Sequence, residues 1–272
     1  MMLGKKVGID LGSSRVRVVV KGEGLVLDEP SVVAIGGQKH RVSAFGGGAA
    51  AAAKANPDLL MVHPVDGWRI ADIPAVAALL AHVINRSAGR QRIFKPDIVL
   101  TVHTAMAGDD RRQLLDILAA LGARTMYLLD IPLAAATGSG ATLTGPVGHL
   151  VIDVGAAVAE VAVLAHEGMV AGRCIEIRGR DGRVSDGWVS DIVNAAREVL
   201  AEMPQQLMSD IAAEGILLTG GGSVAAEVGD QLTAALGVPI TRPPEPELCA
   251  ARGAGLAVDT LDVIRRSFMY IR

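Results

Sequence analysis

The segment 7–20, VGIDLGSSRVRVVV, constrains the fold of this chain more than any other stretch. Val7, Ile9 and Leu11 read as one buried strand and Asp10-Leu-Gly-Ser-Ser as a tight turn. A second strand follows, in which Arg15 and Arg17 alternate with valines. Such a hairpin aims backbone N–H groups at whatever sits above its tip. Glycine lets the main chain approach closely, hydroxyls add donors, and a carboxylate on the incoming strand can hold a hydrated magnesium ion. The pattern recurs at 151–163, VIDVGAAVAEVAV, where Asp153 and Gly155 match Asp10 and Gly12. A third glycine turn, Gly220-Gly221-Gly222-Ser223, follows the apolar run 215–218 and precedes a helix. Two copies of strand-Asp-x-Gly-turn-strand predict two related lobes that face one cleft.

The 272 residues suffice for one large or two modest lobes with real cores. Half are apolar, much of that alanine, and only 3% are aromatic, so helices are expected to pack on sheets through small side chains. A net charge of −3 speaks against a nucleic-acid partner. Cys174 and Cys249 lie in apolar contexts and read as reduced core residues of a cytoplasmic protein rather than a disulfide or metal pair. The first strand begins directly after Lys5 and Lys6, so no signal peptide is expected. The longest apolar helix, 73–84, is too short to cross a bilayer.

Along the chain, Gly22-Glu-Gly turns into strand 25–27, Asp28-Glu29-Pro30 breaks it, and strand 31–35 follows. The glycine- and alanine-rich stretch up to about residue 69 reads as a small irregular subdomain. Asp72 caps a helix ending near Gly89. In Arg90-Gln-Arg-Ile93-Phe94-Lys95-Pro96 an apolar pair sits among cations: it either tucks back onto the domain or dips into lipid. After strand 97–102, Asp109 and Asp110 open a helix that closes at Gly122. Asp130 lies where a strand gives way to a helix, either as an N-cap or at the usual edge for chemistry. Strands are expected at 169–171 and 174–177, then a polar loop 178–187 and a helix capped by Asp186. A short helix leads to Gly215, another helix to Gly237, and a strand covers 238–240. The basic, apolar tail 265–272 reads as frayed or as a second lipid or partner contact.

The three motifs in this order resemble the actin, sugar-kinase and heat-shock-chaperone superfamily. The strings VKGEGLVLDEPSVVAI, HPVDGWRIADI, FKPDIVLTV, DDRRQLLDILAALGARTMYLLDIPLAAATGSG and GILLTGGGS narrow the resemblance to the MreB family, over nearly the whole chain. The resemblance implies an α/β, actin-like (ribonuclease H-like) two-lobed fold clasping a nucleotide. It divides the chain into subdomain IA (1–32, 70–145 and 254–272), IB (33–69) and IIA (146–253). It further implies self-association or co-assembly with an MreB-type paralogue, and contact with cell-wall synthesis proteins. The location implied is cytoplasmic, peripheral to the inner face of the cell membrane, with Ile93 and Phe94 as the membrane-inserting pair. Nucleotide binding falls to Asp10, Gly12, Ser13, Ser14, Asp153, Gly155, Gly220, Gly221 and Gly222. Asp10 and Asp153 would hold magnesium through water, and Asp130 takes the place of the acid that orients attacking water.

Four departures from the family pattern bear on function. The second hairpin carries Ala156-Ala157-Val158-Ala159 where the family has Gly-Gly-Thr-Thr, removing hydroxyls and adding β-carbons. Asp130 replaces a glutamate, retracting the carboxylate by about an ångström, enough to spoil positioning chemistry. Subdomain IIB, which helps hold sugar and base, is missing, and loop 178–187 stands in its place. Arg15 replaces a small polar residue at the first turn. The expectation is a shape or wall-assembly scaffold with a degenerate nucleotide site, for which Mg-ATP is a weak ligand and ATP hydrolysis weak or absent. Its rivals are a competent ATP-hydrolysing filament former and a monomeric adaptor of the FtsA or pilus-assembly kind.

Overall fold

The computed structural model describes residues 4–36, 41–89, 94–143, 145–166, 168–178, 184–260 and 268–270. The first sheet contains β1 (Lys6–Leu11), β2 (Arg15–Val20) and β3 (Gly24–Pro30). A three-stranded sheet follows: β4 (Val33–Gly36), β5 (Arg41–Phe45) and β6 (Leu59–Val62), with helix α1 (Gly47–Ala55) before β6. The ribbon β7 (Val65–Asp66) and β8 (Arg69–Ile70) leads to α2 (Ile73–Ala88), β9 (Asp97–Val102), α3 (Gly108–Ala120), β10 (Thr125–Asp130) and α4 (Ile131–Ser139). The second large sheet starts with β11 (His149–Val154), β12 (Val158–Ala165) and β13 (Gly168–Glu176), followed by α5 (Trp188–Ala201) and α6 (Gln205–Glu214). It is completed by β14 (Ile216–Thr219), α7 (Ala226–Leu236) and β15 (Ile240–Thr241). Helix α8 (Cys249–Thr260) and β16 (Phe268–Tyr270) end the described chain.

The two large sheets are built alike. Strand order β10-β9-β1-β2-β3 in one repeats as β15-β14-β11-β12-β13 in the other. The strand directions repeat too: β1 and β11 each pair antiparallel with the next strand and parallel with β9 or β14. This bears out the expected α/β actin-like architecture of two related lobes. Each sheet buries one face under its own helices, with α2 and α3 over Ile9, Val18 and Leu100, and α5, α6 and α7 over Ile152, Val161 and Leu218. Between the sheets lies a third core, in which α4 and α8 pack on Val99 and Leu129 from one side and Val151 and Ala162 from the other.

Small residues make that central layer possible. A β-carbon on Gly253 would lie 1.8 Å from the Ala134 carbonyl oxygen, and one on Gly138 would lie 1.9 Å from that of Cys249. The α4 and α8 backbones therefore touch, and the third core closes only with glycine at both contacts. Gly253→Ala is expected to destabilise the fold by about 1–3 kcal/mol through overpacking, read from urea denaturation.

Several local expectations need correction. Asp28-Glu29-Pro30 does not break a strand: β3 runs through Pro30, and on an edge strand the missing N–H costs no ladder bond. The supposedly irregular subdomain holds a three-stranded sheet and α1, whose alanines favour helix. β13 is one strand rather than two, paired along β12 with a register shift between Val163 and Leu164. The N-cap of α5 is Gly187, not Asp186, and no side chain caps it. Of the tail, 268–270 pairs antiparallel with β10 instead of fraying, and the rest lies outside the described residues. The cap at Asp72 is as expected, its carboxylate accepting from Ala75 N at 2.8 Å.

Candidate functional site

The like ends of the two sheets converge on a cavity of about 490 Å³. It is lined by both hairpin tips (Gly12 to Arg15 and Gly155 to Val158), by Asp10 and Asp153, and by Gly220, Gly221 and Gly222. All nine candidate ligand-holding residues therefore meet in one cleft. Ile177, Val184 and Trp188 line it where the chain departs from the family pattern, and the bridge Arg178–Val184 closes the short connection there. Gly12 N donates to Arg15 O at 3.0 Å and Gly155 N to Val158 O at 2.8 Å, so the two turns are superposable in hydrogen bonding. Among the described residues the N–H groups of Ser13, Ser14, Ala156 and Ala157 have no backbone acceptor, which leaves them for a ligand. Ala156 and Ala157 do not strain the turn, because only His166 and Glu245 among the described non-glycine residues have positive φ. The hydroxyls of the family pattern are lost at the next two positions, Val158 and Ala159.

The third turn needs glycine for a different reason. Gly220 has φ +84°, and a β-carbon there would sit 2.3 Å from Val154 O. The turn is thereby packed onto the second hairpin, and Gly220 N donates to Pro246 O at 3.0 Å.

Each carboxylate sits in a row of side chains running across its sheet. In the first, Thr101 Oγ1 donates to Asp10 Oδ1 at 2.7 Å, and Asp10 faces Arg17, which faces Asp28. In the second, Thr219 Oγ1 donates to Asp153 Oδ1 at 2.7 Å, and Asp153 faces Glu160, which faces Cys174. The third position is thus a cation in one lobe and an anion in the other. Burial pushes the Asp10 carboxyl up, with the Thr101 bond and Arg17 pulling it back. Burial raises Asp153 to about 7, opposed by the Thr219 hydroxyl and reinforced by the charge of Glu160.

Glu160 is neutralised from the opposite lobe. It accepts from His103 Nδ1 at 2.5 Å, from Thr104 Oγ1 at 2.7 Å and from Thr104 N at 3.0 Å. Burial opposes charge on both members, yet their mutual attraction and hydrogen bonds prevail: Glu160 is held below the usual carboxylate range and His103 above the usual imidazole range. This buried ion pair ties β12 to the end of β9. A second, exposed tie joins Arg69 Nη1 to Glu176 Oε1 at 3.1 Å.

Asp130 is the N-cap residue of α4, as one of the two readings had it, but its side chain makes no capping bond. Its Oδ1 accepts from Arg111 Nη2 at 2.6 Å, and Arg111 also donates to the carbonyls of His103 and Met106. Ile131, rather than Asp130, lines the cavity at this point. Burial raises the Asp130 carboxyl despite the Arg111 charge. Phe94 is 40% exposed, while Ile93 lies outside the described residues.

Sequence reading missed Arg17, Thr101, His103, Glu160, Thr219 and Arg111. Glu160 did carry a signal, as the one charged residue inside the apolar run 158–165. Its partner, 57 positions away, carried none.

The cleft fits a nucleotide in volume and in backbone donors, but its carboxylates do not fit a magnesium ion equally well. One Asp10 oxygen is occupied by Thr101, and Arg17 Nη1 stands 3.7 Å from the other. A fixed cation of the chain itself therefore already faces the Asp10 carboxylate.

Residues 4–184 and 183–266 match the family described as MreB/Mbl protein, in two pieces that meet inside the loop 178–187. The cell shape-determining protein Mbl of Bacillus cereus is 27% identical over 325 residues, covering 96% of this chain and 98% of that protein. The cell shape-determining protein MreB of Escherichia coli is 27% identical over 331 residues, covering 96% and 95%. Both alignments are longer than the 272 residues here, so each relative carries residues with no counterpart in this chain. In fold, the chain superposes on MreB 5 of Spiroplasma citri bound to AMPPNP with a TM-score of 0.85 at 21% identity, covering 96% of this chain and 98% of that one. The match along nearly the whole chain and the duplicated sheets around one cleft lead to one conclusion: the chain belongs to the MreB/Mbl family of actin-like proteins.

Proposed function

We propose that this chain is a cell-shape or wall-assembly scaffold, peripheral to the inner face of the cytoplasmic membrane, whose nucleotide site is degenerate. It self-associates or co-assembles with an MreB-type paralogue and presents its surface to cell-wall synthesis proteins. Support for the role in shape comes from the relatives, which are named cell shape-determining proteins. The observation that carries the degenerate site is the position of Asp130, bound to Arg111 and absent from the cavity wall. A carboxylate engaged by a guanidinium and set back from the cavity wall is poorly placed to orient water there. The hydroxyl-free second hairpin and the short connection at 178–184 point the same way. Exposed Phe94 beside Lys95 supports a lipid contact, and among the described residues no helix is long and apolar enough to cross a membrane. A second reading, a competent ATPase, draws on the neighbour from Spiroplasma citri that binds AMPPNP.

One set of samples tests both halves. The chain is incubated with ATP and phosphatidylglycerol vesicles, then assayed for sedimentation and phosphate release. The chain is expected to pellet with vesicles, and Ile93→Glu/Phe94→Glu to stay in the supernatant. Phosphate release is expected to match that of Asp130→Ala. Faster release by the wild type would establish the ATPase reading, and equal sedimentation of the double variant would remove the lipid contact.

A further inference from the structure

We propose that the cleft takes a polyphosphate of the nucleoside di- or triphosphate class through its own side-chain cations, Arg17 foremost, without a divalent metal ion. The proposal rests on the reading of this cleft as a nucleotide site impaired for metal-dependent turnover, and it says what binding mode such a site retains.

The argument begins with an incompletely satisfied guanidinium. Arg17 lines the cavity with its side chain only 14% exposed. Its Nε is buried without a hydrogen-bond partner. Asp28 Oδ1 lies 3.4 Å from it and already takes a 2.6 Å bond from Arg15 Nε. Its Nη1 stands 3.7 Å from Asp10 Oδ2, an electrostatic contact too long for a hydrogen bond. A guanidinium carries five donors in a planar fork that matches the oxygens of a phosphate. Here such a fork is held on the wall of a nucleotide-sized cleft with its donors underused.

The second element is the place Arg17 occupies. It faces Asp10 across the β1–β2 pair, the carboxylate on which a magnesium ion would depend. A divalent ion approaching Asp10 meets a fixed positive charge within a few ångströms, in a buried setting where repulsion is poorly screened. The same guanidinium that repels the metal attracts the phosphate the metal would have neutralised. In the other lobe the matching position is Glu160, whose charge is taken up by His103 and Thr104. Because His103 uses Nδ1 for that bond, Nε2 is the nitrogen through which its ring, also on the cavity wall, would meet an anion. The N–H groups at the two hairpin tips, without a backbone acceptor among the described residues, complete the cradle.

Isothermal titration with ATP, in excess magnesium and in EDTA, tests this on the full chain, with inorganic triphosphate as a competitor. Affinities in the two buffers are expected to agree within about threefold, and triphosphate to compete. Arg17→Thr is expected to lose about tenfold or more in EDTA, the value of a charge-assisted bond, and to regain affinity when magnesium is added. Arg17→Lys, which keeps the charge, is expected to retain binding in EDTA. Should Arg17→Thr lose its far-UV circular dichroism, Arg17→Gln replaces it in the comparison. ATP binding by the wild type that collapses in EDTA would overturn both the inference and the degenerate site. No binding in either buffer would overturn the inference alone and leave the scaffold reading standing. Binding in EDTA that is equal in the wild type and Arg17→Thr would overturn the role of Arg17.

Discussion

Glu160→Ala is expected to destabilise the fold by about 3–5 kcal/mol at neutral pH, measured by urea denaturation, because it leaves a buried imidazolium without its counter-charge. Glu160 is 1% exposed and accepts three hydrogen bonds, two of them from Thr104. Removing it strands the His103 Nδ1 and Thr104 N donors and leaves the Thr104 hydroxyl with Cys174 Sγ alone. His103→Gln/Glu160→Gln replaces both charges with neutral, hydrogen-bonding groups and is expected to cost much less than the single truncation. A double variant as unstable as Glu160→Ala would show that packing, not charge, is what the pair supplies. The pH dependence follows from the two shifts. His103 is raised above its ordinary 6.5, so its contribution is whole below that value and drains as pH climbs through the folded-state value. Glu160 is lowered below its ordinary 4.5, so its contribution is whole above that value and drains as pH falls through the folded-state value. The pair is therefore at full strength between about pH 4.5 and 6.5. Glu160→Ala is expected to flatten the wild-type loss of stability on the alkaline side.

Asp153→Asn is the opposite case, a substitution expected to stabilise. Burial raises the Asp153 carboxyl from 3.8 to about 7, so between those values the folded state holds a proton that the unfolded state has released. Stability therefore falls as pH rises from about 4 to 7 and is level beyond, a loss on the order of 4 kcal/mol by linkage. Asparagine keeps an acceptor for the Thr219 hydroxyl and removes the charge. Thermal melts at pH 8 are expected to show Asp153→Asn well above wild type, with the difference shrinking toward pH 4. Equal melting temperatures at pH 8 would mean that water or a bound cation solvates Asp153 and that the burial argument fails.

If both results hold, the two lobes of this protein are joined by one charge pair and separated by another. His103 and Glu160 pull the sheets together behind the cavity. Asp10 and Asp153 both line it as buried carboxylates, and the charge of Asp10 adds to the rise at Asp153. Here Arg17 relieves Asp10 from within the chain, while Asp153 is left to protonate. Any ligand that brings positive charge or hydrogen-bond donors to Asp153 is expected to be coupled to lobe closure through this electrostatic balance.

Much of this molecule was legible in the order of its residues. The hairpins at 7–20 and 151–163, the glycine turn at 220–222 and the cap at Asp72 depend on interactions between residues a few positions apart. Glycine, Asp and strand alternation report such interactions directly. The pairing of Asp10 with Thr101, 91 positions away, and of His103 with Glu160 came only from strand register and from the docking of one sheet against the other. So did the pairing of Asp130 with Arg111. Local backbone chemistry is written in short words that repeat. The charge on a buried side chain is settled by whatever the tertiary fold sets within a few ångströms of it, because only at that range and in that low dielectric does a neighbour outweigh the cost of leaving water.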